Sequence, residues 1–440
     1  MSQKSYKNIF IDIIKLTLPI LGGNLAQILI SFSDTIVAGR YSTCALGAIS
    51  VASAIVMTTI IGAIGLILSV SPVISNARGQ KTPSKKYFKL TVLFSIIVSI
   101  PFFLILEIFL KHIDLFNLSP DMLSDVKDYI AICAYSIFPV AIFTAIKEFL
   151  QAYERVKFTN FLMILMVVIN FILNIILTFG CGIIPPLGVK GLSTATLLSR
   201  SFVAIILLLY CIPLLKNKYV YSKKYVKELI NIGTPISCAM FFEFLGFNLT
   251  AILIGKFSSL YAAVHNIILC LANFTFMIVL SIANAVSVKV GYYFGNRDKN
   301  NLIKYSIANI ILIIFVCIIT FSALGLWHNQ IVSIFSSDKE VIYLSNKILK
   351  IAMAFLFFDG IQGGCVGILK GLKDTKIIMF TMLFAYLFIA IPVGCYFAFY
   401  KNIVLEGFWT GLALALFSAA IITGSRVIYK IKKITNRNFE

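Results

Sequence analysis

The sequence predicts an all-α integral membrane protein with twelve transmembrane helices in two pseudo-symmetric six-helix lobes. Its composition, the spacing of its apolar runs and an internal repeat lead to this fold class. The 440 residues are 60% hydrophobic and only 13% charged, and their mean hydropathy is +0.96. A water-soluble fold could not bury that much apolar surface, whereas a membrane-spanning helix needs about 20 apolar residues in succession.

Apolar segments of helix length follow one another along the whole chain. A transmembrane β-barrel would instead show strictly alternating strands of about ten residues. We therefore predict twelve spans. They lie near residues 10–33, 44–70, 88–110, 128–150, 158–180, 188–213, 226–254, 261–290, 303–327, 343–368, 377–399 and 405–428.

The loops between these segments alternate in charge. Basic loops lie at 78–89, 153–157, 216–227, 295–304 and 370–376, and the C-terminal tail is basic too. The intervening loop 113–125 is acidic and 180–188 is uncharged. The positive-inside rule then places both termini in the cytoplasm, which an even number of spans allows. It also accounts for the formal charge of +20 without nucleic acid. The lysine- and isoleucine-rich composition indicates an AT-rich bacterial genome, so we expect a multi-pass protein of a bacterial inner or plasma membrane.

An internal repeat relates the two halves of the chain. Pro19 and Ile20 recur as Pro235 and Ile236, 216 positions later, and the same offset pairs Gln27 with Glu243. Six spans per half is an even number, so both halves start on the same side and form a parallel repeat, a known plan of transporters. We predict an N-terminal lobe (1–213), a cytoplasmic linker (214–227), a C-terminal lobe (228–428) and a basic cytoplasmic tail (429–440).

Two acids lie inside apolar segments of the second half. Glu243 is surrounded by phenylalanines in FFEFLGF, and Asp359 lies in FLFFDGIQGG with Gln362 on the same helical face. A charge at the centre of a bilayer costs about 2.5–3.5 kcal/mol on insertion scales, so such a residue should face a cavity or a partner. Either acid could bind a cation or a proton, or could merely hydrogen-bond a neighbouring helix.

Polar residues in the first half indicate a second pocket. Asp34 lies late in the first span, Asn170 and Asn174 share one face of the fifth, and Thr196 adds a hydroxyl from the sixth. Oxygen ligands suit hard cations. The alternatives are that the asparagines only join helices, and that Asp34 lies near enough to the outer interface to be hydrated.

Motifs of enzymes are absent from the sequence. It contains no GxxxxGK[ST], no HExxH and no Ser/His/Asp constellation, so we expect neither direct use of ATP nor catalysis. The nine cysteines are scattered, which argues against a metal site or a disulfide framework. His265 is a lone histidine, for which a satisfied structural role is a simpler interpretation than a proton relay. We predict no arginine in the middle of a span.

Four stretches resemble the multidrug and toxic compound extrusion (MATE) family, and most of all its NorM-like branch. They are LPILGGNLAQILISFSDTIVAGR, TPISCAMFFEFLGFNLTAILIG, VGILKGLKDTK and LEGFWTGLALAL. The resemblance implies two lobes in a V shape around a central cavity. It also implies secondary active export of lipophilic or cationic organic compounds in exchange for Na⁺ or H⁺, with no other cofactor.

The resemblance also implies roles for particular residues. Glu243 and Asp359 match functional acids of the second lobe, and Na⁺ is expected there or at the first-lobe pocket, which matches Asp34, Asn170, Asn174 and Thr196. Candidates for the substrate cavity are Gln27, Gln362, Phe355 and His265. Phe355 departs from the family, because some members have an aromatic hydroxyl at this position, one turn before the second-lobe aspartate.

Other functions remain open at this stage. A lipid-linked oligosaccharide flippase of the same broader superfamily would favour a cavity lined with several Arg or Lys that hold pyrophosphate, whereas the buried charges identified here are acidic. A channel or a structural scaffold is a third possibility. For the transporter we expect small organic molecules, a coupling cation and the lipid bilayer as partners, no nucleic acid, and a monomer.

Overall fold

The computed structural model describes residues 4–116, 119–182, 184–216, 218–336 and 338–436. Within these ranges the chain forms twelve helices that are long and apolar enough to cross a membrane, and no β-strand beyond one isolated bridge between Cys181 and Ile184. The helices are α1 (Tyr6–Tyr41), α2 (Thr43–Gly79), α3 (Ser84–His112), α4 (Met122–Ala152), α5 (Lys157–Phe179), α6 (Val189–Tyr210), α7 (Lys223–Gly255), α8 (Ser259–Gly295), α9 (Lys299–Ser333), α10 (Lys339–Gly371), α11 (Lys376–Tyr400) and α12 (Val404–Asn436).

Several of the helices are not regular throughout. α2 is interrupted between Ile67 and Val70, and α4 is interrupted at Ser136. α11 contains a π-helical segment, Phe384–Ala390, between two α-helical parts. Such a segment inserts an extra residue into the turn, re-aims the side chains around it, and is frequent at functional sites.

Local structure repeats with the sequence. The side chain of Ser42 accepts a hydrogen bond from the amide of Ala45 at the start of α2, and Ser258, 216 positions later, caps the start of α8 through Leu260. Lys81 and Arg297, related by the same offset, both adopt the left-handed conformation with φ of 58°. The two halves therefore share caps and turns as well as span order, and the six-helix lobes are pseudo-symmetric.

Two compact units can be distinguished within the chain. The N-unit comprises Pro19–Ala77 and Thr82–Ser237, and the C-unit comprises the residues up to Leu18, Arg78–Lys81 and the residues from Cys238 onward. Two of the divisions fall inside helices at prolines, at Pro19 in α1 and close to Pro235 in α7. The lobe boundaries expected from the sequence stay a prediction.

Spanning helices extend into both the predicted linker (214–227) and the predicted tail (429–440). α7 already begins at Lys223, inside the predicted linker 214–227, of which residue 217 lies outside the described residues. α12 continues to Asn436, so the first part of the predicted tail prolongs a spanning helix. The last part of that tail, 437–440, is outside the described residues.

A glycine allows α2 and α7 to approach closely within the N-unit. A Cβ on Gly65 would lie 2.4 Å from Cα of Ser237, whose hydroxyl donates a 2.7 Å hydrogen bond to the carbonyl of Gly62. We expect Gly65→Ala to lower the thermal unfolding midpoint of the detergent-solubilised protein. Overpacking of this kind costs about 1–3 kcal/mol, and here backbone rather than a flexible side chain is in the way.

The matched control for this prediction is Gly255→Ala. Gly255 ends α7, and nothing lies within 4 Å of a Cβ built there. Both substitutions gain the higher helix propensity of alanine, about 1 kcal/mol, so only the close approach differs between them. Equal midpoints for the two variants would contradict the packing at Gly65.

Candidate functional site

The first candidate site is a polar cluster inside the N-unit. α1 supplies Asp34, α5 supplies Asn170 and Asn174 from one face, and α6 supplies Thr196, and all four side chains are buried. The structure therefore brings together the four first-half residues that the sequence indicated. Asp34 is buried rather than hydrated at the interface, which removes that alternative.

Hydrogen bonds centre this cluster on Asn174 and Asp34. The Asn174 amide donates to Oδ1 of Asp34 at 2.7 Å and to Oδ1 of Asn170 at 3.1 Å. The Thr196 hydroxyl lies 3.5 Å from the other oxygen of Asp34, Oδ2. Oδ1 of Asn174 is buried and has no partner among the described residues. Carboxylate, amide and hydroxyl oxygens are the donors that hard cations prefer, so this set fits a bound Na⁺ chemically.

Arg200 corrects the expectation that no arginine lies in the middle of a span. It occupies the centre of α6 (Val189–Tyr210), one turn after Thr196, and is only 9% exposed. Its Nη1 donates a 2.7 Å hydrogen bond to Oγ of Ser136, the residue at which α4 is interrupted. Its charge acts on Asp34. Arg200 is already visible in the sequence, where SRSFVAIILLLY places it inside the sixth apolar segment.

The second candidate site lies in the C-unit and contains the two acids of the second half. Glu243 is half-buried on α7 and Asp359 is buried on α10. They are near enough that the charge of Glu243 acts on Asp359. Neither carboxylate has a side-chain hydrogen-bond partner in the part of the chain that the structure describes. Lys370, at the end of α10, supplies an opposing charge that acts on Glu243.

An aromatic cluster lies within one helical turn of each of the two acids. Phe247 lies one turn after Glu243, and its ring centroid is 5.4 Å from that of Tyr386 on α11 and 6.1 Å from that of Phe355 on α10. The ring of Phe355 in turn meets Trp409 of α12 edge to face at 5.4 Å. The site is therefore enclosed mainly by apolar surface, in which a charge is poorly solvated.

His265 lies at the far side of this aromatic cluster. Its ring is 5.6 Å from that of Trp409, it is buried, and neither of its nitrogens has a partner among the described residues. The interpretation as a hydrogen-bonded structural histidine therefore does not describe its surroundings. The sequence could not predict that His265 lacks hydrogen-bond partners, because this depends on how the helices pack.

The other two candidates for the substrate cavity have different surroundings. Gln362 is buried, with its amide 3.9 Å from Sδ of Met382. Gln27, which the repeat pairs with Glu243, is exposed on α1. Phe355 and His265 are both buried. That these residues contact a substrate stays a prediction.

Comparisons with known proteins agree with this architecture. The MatE family model matches the chain twice, over residues 19–176 and 235–396, so it covers more than half of the chain and begins each match at the repeated proline. The probable multidrug resistance protein NorM of Photorhabdus laumondii is 29% identical over 92% of both chains. The multidrug resistance protein NorM of Vibrio cholerae is 26% identical over 97% of both.

Solved structures show the same fold. The crystal structure of a mutant of the Vibrio cholerae MATE transporter VcmN superimposes with a TM-score of 0.89, at 17% identity, over 97% of this chain and 98% of that one. This fold agrees with the twelve spans, the parallel six-helix repeat and the acids inside spans of both halves. With a family model that spans both halves, the chain belongs to the MatE family, whose members are transporters rather than enzymes.

Proposed function

We propose that this protein is a secondary active multidrug efflux transporter that exports lipophilic or cationic organic compounds in exchange for Na⁺ or H⁺. The names of its curated relatives, multidrug resistance proteins NorM, support the substrate class. The expected setting is the inner membrane of a bacterium with both termini in the cytoplasm, as the basic loops favour. We propose that it acts as a monomer.

The proximity of Glu243 and Asp359 is the observation that carries this proposal. Two neighbouring carboxylates in apolar surroundings cannot both stay ionised without a counter-charge. Lys370 offers one positive charge against two carboxylates, so the site needs a further proton or cation to be neutral. A group with this property can convert an ion gradient into a conformational preference.

The mechanism follows from the difference between the loaded and the empty site. When a cation or proton neutralises the acids, the site no longer attracts a cationic substrate, and the substrate is released. When the ion leaves toward the cytoplasm, the restored negative charge favours a new substrate. Alternating access between two such states is the general plan of transporters built from repeats, and each ligand shifts the equilibrium only by its difference in affinity.

The N-unit cluster is proposed as a further ion site. Asp34, Asn170, Asn174 and Thr196 offer several oxygens in one place, and Oδ1 of Asn174 is free to accept. A cation bound there would compete with the internal positive charge of Arg200 for Asp34.

The test is ethidium efflux in inverted membrane vesicles, with the Na⁺ gradient and the pH gradient imposed separately. We expect ethidium to accumulate with one gradient and not without any gradient, and vesicles from cells that lack the protein serve as control. An ethidium flux that is the same with and without the two gradients would indicate a channel. No ethidium flux with either gradient would contradict the proposed function.

A flippase remains the alternative because one observation favours it. Arg200 provides the kind of buried guanidinium that recognises phosphate. It is, however, bonded to Ser136 and lies within the influence of Asp34, so its charge is already compensated. Binding of a lipid-linked pyrophosphate by the purified protein, lost in Arg200→Gln, would favour the flippase.

A further inference from the structure

The phenolic hydroxyl of Tyr386 is a buried polar group on α11, in the same unit as the two acids. The side chain is 0% exposed, and its oxygen has no hydrogen-bond partner among the described residues. A buried hydroxyl that makes no hydrogen bond is unfavourable, and such groups are rare in folded proteins. A partner that binds in only part of a functional cycle would satisfy this hydroxyl.

Two local features of the fold place this tyrosine against α7. Tyr386 lies in the π-helical segment Phe384–Ala390, which changes the direction of its side chain relative to a regular helix. Its ring packs on Gly246, where a Cβ would lie only 2.5 Å from Cδ1 of the ring. The glycine on α7 and the π-helical segment of α11 thus together allow the ring of Tyr386 to pack closely on α7.

The approach places Tyr386 beside the acid site. On α7, Glu243 lies one turn before Gly246 and Phe247, and the ring of Phe247 contacts that of Tyr386. The charges of Glu243 and of Asp359 both act on the Tyr386 hydroxyl. Two carboxylates and one hydroxyl, none of which has a hydrogen-bond partner among the described residues, therefore lie near one another in the C-unit.

The internal repeat supplies an independent argument. The residue 216 positions before Tyr386 is Asn170, which belongs to the N-unit cluster. The counterpart of Asp34 is Thr250, which lies one turn after Gly246 and is likewise buried, with a hydroxyl that has no partner in the described part of the chain. Both halves thus keep oxygen-bearing side chains at corresponding positions of their first and fifth helices.

We propose that the Tyr386 hydroxyl completes the acid site of the C-unit and supplies the third oxygen donor, beside Glu243 and Asp359, for the coupling ion. A phenol has one proton to donate and lone pairs to accept with. It can turn its oxygen to a bound cation, or accept from a protonated carboxyl, when the site is loaded. This inference rests on the proposed function.

The test uses Tyr386→Phe, which keeps the ring against Gly246 and Phe247 and removes only the hydroxyl. Transport is measured as the half-saturating concentration of whichever ion drives ethidium efflux in the parent protein. We expect this concentration to rise about tenfold or more, as for the loss of a hydrogen bond to a charged group. Tyr293→Phe, a buried tyrosine stacked on Tyr305 near the end of α8, is the matched control and should leave it unchanged.

A second measurement follows ion binding without transport. The chain has two tryptophans, and Trp327 is exposed, so in a Trp327→Phe background the fluorescence reports Trp409, which contacts Phe355. Titration with the coupling ion should show that Tyr386→Phe binds the ion about tenfold more weakly than the parent does. The thermal stability of the two proteins should be the same.

The outcomes separate the two proposals. If Tyr386→Phe keeps the parental half-saturation in transport while Glu243→Gln abolishes the response, the hydroxyl is not a donor at the site and the proposed function stands. If Glu243→Gln also keeps full ion-coupled efflux, the acid site itself fails, and this inference fails with it.

Discussion

Glu243→Gln and Asp359→Asn are each expected to abolish ion-coupled efflux while the protein still reaches the membrane. Both substitutions keep the size of the side chain and remove its ability to ionise. The acids lie in apolar surroundings with no hydrogen bond among the described residues, so the neutral amides should be tolerated by the fold. The measurement is gradient-driven ethidium efflux, normalised to the amount of protein in the vesicle membrane.

Asp374→Asn is the matched control for these acids. Asp374 lies between α10 and α11, outside the spans, and accepts hydrogen bonds from Arg426 and Lys430. Burial opposes its ionisation, but those hydrogen bonds outweigh it and hold the pKa of Asp374 below its usual value. Its loss should lower stability at neutral pH and leave coupling intact. Unchanged efflux in both Glu243→Gln and Asp359→Asn would remove these acids from the mechanism.

The sequence alone predicted the span count and the repeat because both depend on local composition. Helix ends were less predictable. The second apolar run was expected to stop near residue 70, yet α2 continues to Gly79, and the eighth was expected to stop near 290, yet α8 continues to Gly295. Hydropathy marks where polar side chains begin, whereas backbone hydrogen bonding continues past that point.

The sequence predicted only those site residues whose placement in an apolar segment is energetically unfavourable. A carboxylate in an apolar run is visible in any sequence, which is how Glu243, Asp359 and Asp34 were found. Tyr386 was missed because a tyrosine in an apolar segment is ordinary, and only packing reveals that its hydroxyl lacks a partner. His265 was misjudged for the same reason, since satisfaction of a polar group is a tertiary property.

Arg200→Met is expected to destabilise the protein more than any other substitution in the N-unit cluster. Arg200 is buried, bonded to Ser136 at the interruption of α4, and electrostatically coupled to Asp34. Its removal withdraws a positive charge that acts on the buried Asp34 and breaks the hydrogen bond to Ser136, and a hydrogen bond to a charged group contributes about 1.5–3 kcal/mol. Thermal unfolding of the detergent-solubilised protein measures the loss.

A double-mutant cycle distinguishes lost compensation from lost packing. In Asp34→Asn with Arg200→Met both charges are gone, and replacing a buried pair by uncharged side chains of similar size is often neutral. The double variant should therefore unfold at a higher temperature than Arg200→Met alone, whereas independent sites would add their losses. Purely additive losses would show that Arg200 stabilises α4 through Ser136 rather than balancing Asp34. In that case a cation at Asp34 would meet no internal competitor, and bound Na⁺ should stabilise Arg200→Met no more than it stabilises the parent.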